Sequence, residues 1–231
     1  MDNHHDPVCV QVWRGALLLA DFLLADPALV AGSRVLELAA GTGITSLTAA
    51  MFARSVTATD VDRGELDNLH LLVSRKFISG DILNLLNRNH KLNEEALQSC
   101  DFKVAELDFF WEEWQTETLQ ICENCDVILA ADVVYDKNIT LHFFKTLKKI
   151  LAMSPKTALI AIEKRQHAGS DGDIVAPNYD IFLDQLSELD NSLIGENTNV
   201  SVAKVPINFQ QFFKYSRVNE LNLFKIISYR K

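Results

Sequence analysis

Val35-Leu-Glu-Leu-Ala-Ala-Gly-Thr-Gly43 is a short apolar run that ends in a glycine-bearing turn, and Asp60 closes the next β-branched run about twenty positions beyond Gly41. Glycines in such a turn let backbone N–H groups approach a ligand at the start of the following helix. A distal acid at this spacing can accept both hydroxyls of a ribose. The stretch therefore predicts a strand over 34–38, a turn over 39–43, a helix over 44–53 and a strand over 55–60, which is a βαβ unit carrying a nucleoside-cofactor site. A nicotinamide-binding turn reads Gly-x-Gly-x-x-Gly, whereas here Gly41-Thr-Gly43 runs on into Ile44, Thr45 and Ser46. Glu37 adds a carboxylate directly before the turn, where a pyrophosphate reader gains little and a cationic, aminoacyl-bearing cofactor gains more. S-adenosylmethionine fits this pattern better than NAD.

Outward from this unit, short β-rich runs alternate with helical patterns, which predicts an α/β protein with a mostly parallel sheet. A helix is expected over 13–24, ending near Asp26-Pro27, and two helical pieces are expected over 66–91, interrupted at 77–80. Strands follow at 102–107 and 126–131. An amphipathic helix spans 138–153, with Ile139, Phe143, Leu147, Ile150 and Leu151 on one face. A strand at 158–162, a loop at 167–178, a helix at 179–189 and strands at 200–205 and 221–229 complete seven strands. Phe209, Phe212, Phe213 and Tyr215 read as core packing between the last two strands. With no linker-like stretch, residues 1–231 read as one domain.

The chain has 231 residues, 48% of them hydrophobic and 23% charged, a balance that excludes disordered and fibrous classes. A net charge of −9 disfavours nucleic acid and anionic membrane as partners. The chain shows neither a long apolar span nor a signal-peptide pattern, so it reads as intracellular with reduced cysteines. Cys122-Glu-Asn-Cys125 supplies half a zinc spacing with no second half, and the six histidines are dispersed. No metal is expected, and the two thiols read as surface or strand-edge groups.

Glu37-Leu-Ala-Ala-Gly-Thr-Gly43 resembles the first motif of class I S-adenosylmethionine-dependent methyltransferases, acid-x-Gly-x-Gly-x-Gly, with Ala39 in place of the first glycine. Val12-Trp-Arg-Gly-Ala-Leu-Leu-Leu-Ala20, Glu106-Leu-Asp108, Ala131-Asp-Val-Val-Tyr135, Glu163-Lys-Arg165 and Leu223-Phe-Lys-Ile226 are similar, in this order, to blocks of the family-16 protein-lysine methyltransferases, most closely the methyltransferase-like 22 branch. The resemblance implies a Rossmann-like class I methyltransferase fold, with a seven-stranded, mostly parallel sheet, an antiparallel last strand and helices on both faces.

It further implies that Trp13, Glu37, Ala39, Ala40, Gly41, Gly43, Asp60, Asp108, Phe109 and Ala131 bind S-adenosylmethionine and its product S-adenosylhomocysteine. Phe109 stands where relatives carry a Trp beside the adenine, and Asp108 can accept from the adenine amino group. Asp132 and Tyr135 match the motif presented to a substrate lysine, whose ammonium must lose its proton before attacking the sulfonium methyl. Arg88-Asn-His-Lys-Leu-Asn93 matches a family helix, and 66–80 reads as an insertion before it. The expected protein is a nuclear or cytoplasmic monomer acting on a lysine of a non-histone protein, without nucleic acid or membrane. A small-molecule methyltransferase and a catalytically silent cofactor-binding module are the alternatives.

Overall fold

In the computed structural model, which describes residues 11–61, 81–168, 173–191 and 198–230, the chain begins with α1 (Arg14–Ala25). Strand and helix then alternate through β1 (Arg34–Leu38), α2 (Ile44–Ala50), β2 (Ser55–Asp60), α3 (Asp81–Asn93) and β3 (Asp101–Glu106). They continue through α4 (Thr116–Asn124), β4 (Val127–Ala131), α5 (Lys137–Met153) and β5 (Lys156–Glu163). A small ribbon, β6 (His167–Ala168) with β7 (Ile174–Val175), leads into α6 (Pro177–Asn191), β8 (Thr198–Val205) and β9 (Leu221–Arg230).

The main sheet has seven strands in the order β3-β2-β1-β4-β5-β9-β8. The first five run parallel, and β9 is antiparallel to both β5 and β8. This is the Rossmann-like class I methyltransferase architecture. The central strands are apolar almost throughout because helices cover both of their faces. On one face Leu36, Leu38, Ile128 and Ile160 pack against Phe143, Phe144 and Leu147 of α5 and Phe182 of α6. On the other, Val35, Leu129, Leu159 and Leu223 pack against Leu18, Leu19 and Leu23 of α1. The chain leaves β1 in one direction toward β2 and reaches β4 on its other side, so a crevice opens at the carboxyl ends of β1 and β4, where open α/β sheets bind ligands.

The structure departs from the reading of the sequence at several points. The 167–178 segment is not a plain loop: it contains the ribbon, and α6 already starts at Pro177, whose fixed φ suits the first helical position. Helix α4 lies in a stretch left unassigned, because Cys122 is the single residue it buries and its apolar period is correspondingly sparse. Cys122 and Cys125 are not surface or strand-edge thiols. They are 0% and 5% exposed, and burial pushes their pKa values up to about 12 and about 11, which makes them inert. The proposed insertion at 66–80 lies outside the described residues.

The β8–β9 connection is tied to α1 through Asp21, whose side chain is fully buried. Its carboxylate accepts from Arg217 Nη2 at 2.8 Å and from the backbone N–H groups of Phe212 and Phe213 at 2.8 and 3.0 Å. Phe209 packs on Phe22 with ring centroids 5.0 Å apart, whereas Phe212, read as core, is 48% exposed. Among the described residues no helix is long and apolar enough to cross a membrane, and no group of three or more His, Cys, Asp or Glu side chains can hold a metal ion.

Candidate active site

The turn after β1 is built from left-handed residues: Ala39 has φ +54°, Gly41 +54° and Gly43 +81°. Backbone bonds hold it, with Ala40 N–H donating to Thr59 O at 2.9 Å and Gly43 N–H to Ala40 O at 2.8 Å. Asp60 stands beside the turn as its spacing predicted. Its Oδ2 accepts from Gly41 N–H at 2.7 Å and its Oδ1 from Val61 N–H at 2.8 Å. Leu107 N–H donates to Asp60 O at 3.0 Å, which brings the end of β3, and Asp108 after it, alongside the acid.

Helix α3 clamps the turn from the other side, a role not assigned from the sequence. Asn89 Nδ2 donates to Thr42 O at 2.8 Å, and a Cβ on Gly43 would meet Leu86 Cδ2 at 2.6 Å, so a side chain there makes Leu86 shift, while the positive φ favours glycine. The signal was present in the Arg88–Asn93 pattern, but only the folded chain shows what Asn89 holds.

Ala39 carries its methyl group in the left-handed region, at a cost of roughly 1 kcal/mol that glycine does not incur. Ala39→Gly is therefore expected to leave Tm within about 2 °C, relief of strain offsetting the added unfolded-state entropy. It should also tighten S-adenosylhomocysteine binding about threefold by removing the Cβ from the turn, a gain of under 1 kcal/mol by calorimetry. Weaker binding in the variant would show that the methyl group aids the site.

Glu37 lies beneath the turn, 1% exposed, where Ser46 Oγ donates to its carboxylate. It supports the first turn of α2 from inside the protein. Burial is the largest influence on the group and, against that donor, pushes its pKa up to about 7. A carboxyl with a raised folded pKa contributes stability that is fully present below the unfolded value near 4.5 and is lost as pH rises through 7. At ~1.4 kcal/mol per tenfold change in proton activity, the loss amounts to about 3 kcal/mol. In Glu37→Gln the Tm difference from the parent should therefore shift in the variant's favour by roughly 8 °C between pH 5 and pH 8. A difference constant within about 2 °C, read by calorimetry, would mean that Glu37 stays ionised throughout.

The far side of the crevice is organised by Asp132, which follows β4, has φ +53° and is 8% exposed. Its Oδ2 accepts from Gly15 N–H at 2.7 Å and its Oδ1 from Glu163 N–H at 2.9 Å. Burial raises its pKa, and the two N–H groups oppose the shift. A Cβ on Gly15 would fall 2.6–2.9 Å from this carboxyl, so the close approach of α1 depends on glycine there. Trp13 is the N-cap residue of α1, and the Arg165 guanidinium lies 4.3 Å from its ring centroid. Arg14 forms a two-pronged ion pair with Glu163. Gln11, Val12, Trp13, Arg14, Glu163 and Arg165 line a cavity of about 310 Å³.

Ala40 and Ala131 lie at the ends of β1 and β4, with Ala40 packed on Leu86. Tyr135 is 44% exposed, and its carbonyl accepts from Asn178. Asp108 Oδ1 accepts from Phe110 N–H at 2.9 Å. Phe109, expected to offer an apolar face to an adenine, is 8% exposed and makes a T-shaped contact with Phe143, ring centroids 5.6 Å apart. The remaining expected residues fall into two groups, one around the glycine turn and Asp60, the other around Trp13 and Asp132.

Among solved structures, the chain superposes on one described as a predicted O-methyltransferase, protein Atu636 of Agrobacterium tumefaciens, with a TM-score of 0.53 at 15% identity, covering 92% of this chain and 80% of that one. That likeness concerns the fold. Methyltransferase-like protein 22 of Mus musculus is 34% identical over 94% of this chain and 55% of its own length, and its Homo sapiens counterpart 33% identical over 94% and 54%. The chain thus spans about half the length of these curated relatives. Protein-lysine N-methyltransferase EFM3 of Saccharomyces cerevisiae is 30% identical over 62% of this chain and 40% of its own length. The family profile described as lysine methyltransferase matches residues 1–172, and on the strength of that match and of the relatives the chain belongs to the lysine methyltransferase family.

Proposed function

We propose that the protein transfers a methyl group from S-adenosylmethionine to the side-chain amine of a lysine in a non-histone protein, acting as a monomer in the nucleus or cytoplasm. The reading is carried by the pairing of Asp60 with the Gly41 turn at the point where the strand order reverses. A carboxylate beside left-handed backbone suits a nucleoside whose ribose offers two hydroxyls, so the residues present fit the cofactor. Bound there, S-adenosylmethionine supplies an electrophilic methyl group on a sulfonium. Asp60 would hold the ribose and Asp108 the adenine amino group. The turn at Ala39, Ala40, Gly41 and Gly43 would receive the aminoacyl part, with Glu37 supporting the turn from below. Trp13 and Ala131 would also border the cofactor, and Asp132 and Tyr135 the acceptor side.

Methyl transfer by direct displacement needs no covalent enzyme intermediate, so the chain's contribution is to align nucleophile, methyl carbon and leaving sulfur. The acceptor ammonium must lose its proton before its lone pair attacks the sulfonium methyl, and passage out of water toward that methyl group favours the loss. A net charge of −9 favours encounter with a lysine-rich target. The test is incubation of the purified chain with methyl-tritiated S-adenosylmethionine and methyl-depleted cell extract. The expected result is label in discrete protein bands, recovered as methyl-lysine and absent with Asp60→Ala. Label found only in acid-soluble product would replace this reading with small-molecule methylation. Cofactor binding with no transfer at all would replace it with a silent module.

A further inference from the structure

We propose that Glu163 is the carboxylate that receives the acceptor ammonium, in the pocket walled by Trp13, and that Arg14 and Arg165 occupy its two cation-binding features in the free protein. The inference deepens, and rests on, the lysine-methylation reading. Asp132 is the carboxylate the sequence points to, yet both of its oxygens already accept buried backbone N–H groups, from Gly15 and Glu163. Asp132 is 8% exposed and lies outside the set of residues that line the cavity beside Trp13, whereas Glu163 is among them. Asp132 is thus a positioning residue. It joins the start of α1, which brings Trp13 and Arg14, to the end of β5, which brings Glu163.

The side chain of Glu163 is 16% exposed and lines the cavity of about 310 Å³ together with Trp13, within the size range of small-ligand sites. Two features of that cavity attract cations: a partly desolvated carboxylate and an indole face. Each holds a guanidinium of the chain itself, Arg14 on Glu163 with its Nε at 2.8 Å, and Arg165 over Trp13 at 4.3 Å. Arg14 is 42% exposed, so its guanidinium passes readily into water when a competing cation enters. A lysine side chain fits the vacated arrangement, its methylene stem along the indole and its ammonium at Glu163, beside the end of β4 and the crevice.

The experiment titrates Nα-acetyl-lysine methylamide into the folded chain and follows the Trp13 indole N–H resonance, assigned by its loss in Trp13→Phe. A saturable shift is expected in the parent. Its dissociation constant should rise about tenfold in Glu163→Gln and fall about threefold in Arg14→Gln, because Arg14 competes for the same carboxylate. The second variant separates competition from a structural role: if the ion pair only held the fold, removing either partner would weaken binding alike. Absence of a saturable shift in the parent, unchanged binding in Glu163→Gln or weakened binding in Arg14→Gln each overturns the proposal. S-adenosylhomocysteine calorimetry and label transfer on the same preparations keep the two readings apart. Probe binding without cofactor binding retains the pocket and removes the methyltransferase reading, and transfer with an unresponsive Trp13 does the reverse.

Discussion

Asp60→Ala is expected to weaken S-adenosylhomocysteine binding by at least about 100-fold, the largest functional effect of any single change at the glycine turn. The reason lies in what a carboxylate at the end of β2 offers two vicinal hydroxyls: an acceptor oxygen for each, with both bonds strengthened by its charge. Charge-assisted bonds are worth roughly 1.5–3 kcal/mol apiece, so losing the pair costs about 3 kcal/mol or more. In the free protein the same oxygens accept from Gly41 and Val61 N–H, so the acid also holds the turn in the shape that faces the ligand. Both amides lie at the edge of the crevice, where water can replace the lost acceptor, and Tm without ligand should fall by less than about 4 °C. Calorimetric titration of parent and variant decides the matter, and affinity within about threefold of the parent would remove Asp60 from the cofactor site.

Arg217→Met is expected to have the largest effect on stability, lowering Tm by roughly 10 °C. Asp21 is fully buried and Arg217 is its charged partner, so the variant leaves a carboxylate in the protein interior without a countercharge, facing the N–H groups of Phe212 and Phe213. Stranding one member of a buried ion pair typically costs about 3–5 kcal/mol. Arg217 also donates to Phe209 O at 2.7 Å and to Tyr215 Oη at 3.1 Å, so the 206–220 connection loses these two internal ties at the same time. The exposed Arg230, whose contact with Met153 O is 3.4 Å long, serves as the comparison, and Arg230→Met should change Tm by less than about 2 °C. Equal melting of the two variants by differential scanning calorimetry would show that Asp21 is satisfied by backbone donors alone. Because α1 also carries Trp13 and Arg14, partial unfolding of this junction should loosen the acceptor wall before the glycine turn.

What the sequence determined by itself was local. The glycine turn between β1 and α2, the acid at the end of β2 and the period of α5 follow from residues close along the chain, because turn chemistry and side-chain periodicity act over a few positions. Family blocks extended that reading to the sheet and to the residues of the crevice. Tertiary structure decided the direction in which those side chains act. Glu37 faces inward because α2 packs over its side of β1, and Phe109 turns into the core because Phe143 of α5 offers a ring to pack against. Asp132 has its oxygens occupied by amides 117 residues before it and 31 residues after it, a pairing that exists only because β4 lies next to β5 and α1 crosses their ends. The physical reason is common to all three. A carboxylate or ring in a folded chain goes to whatever donor or apolar surface the layers bring within reach, and those neighbours are set by the stacking of elements distant in sequence rather than by adjacent residues.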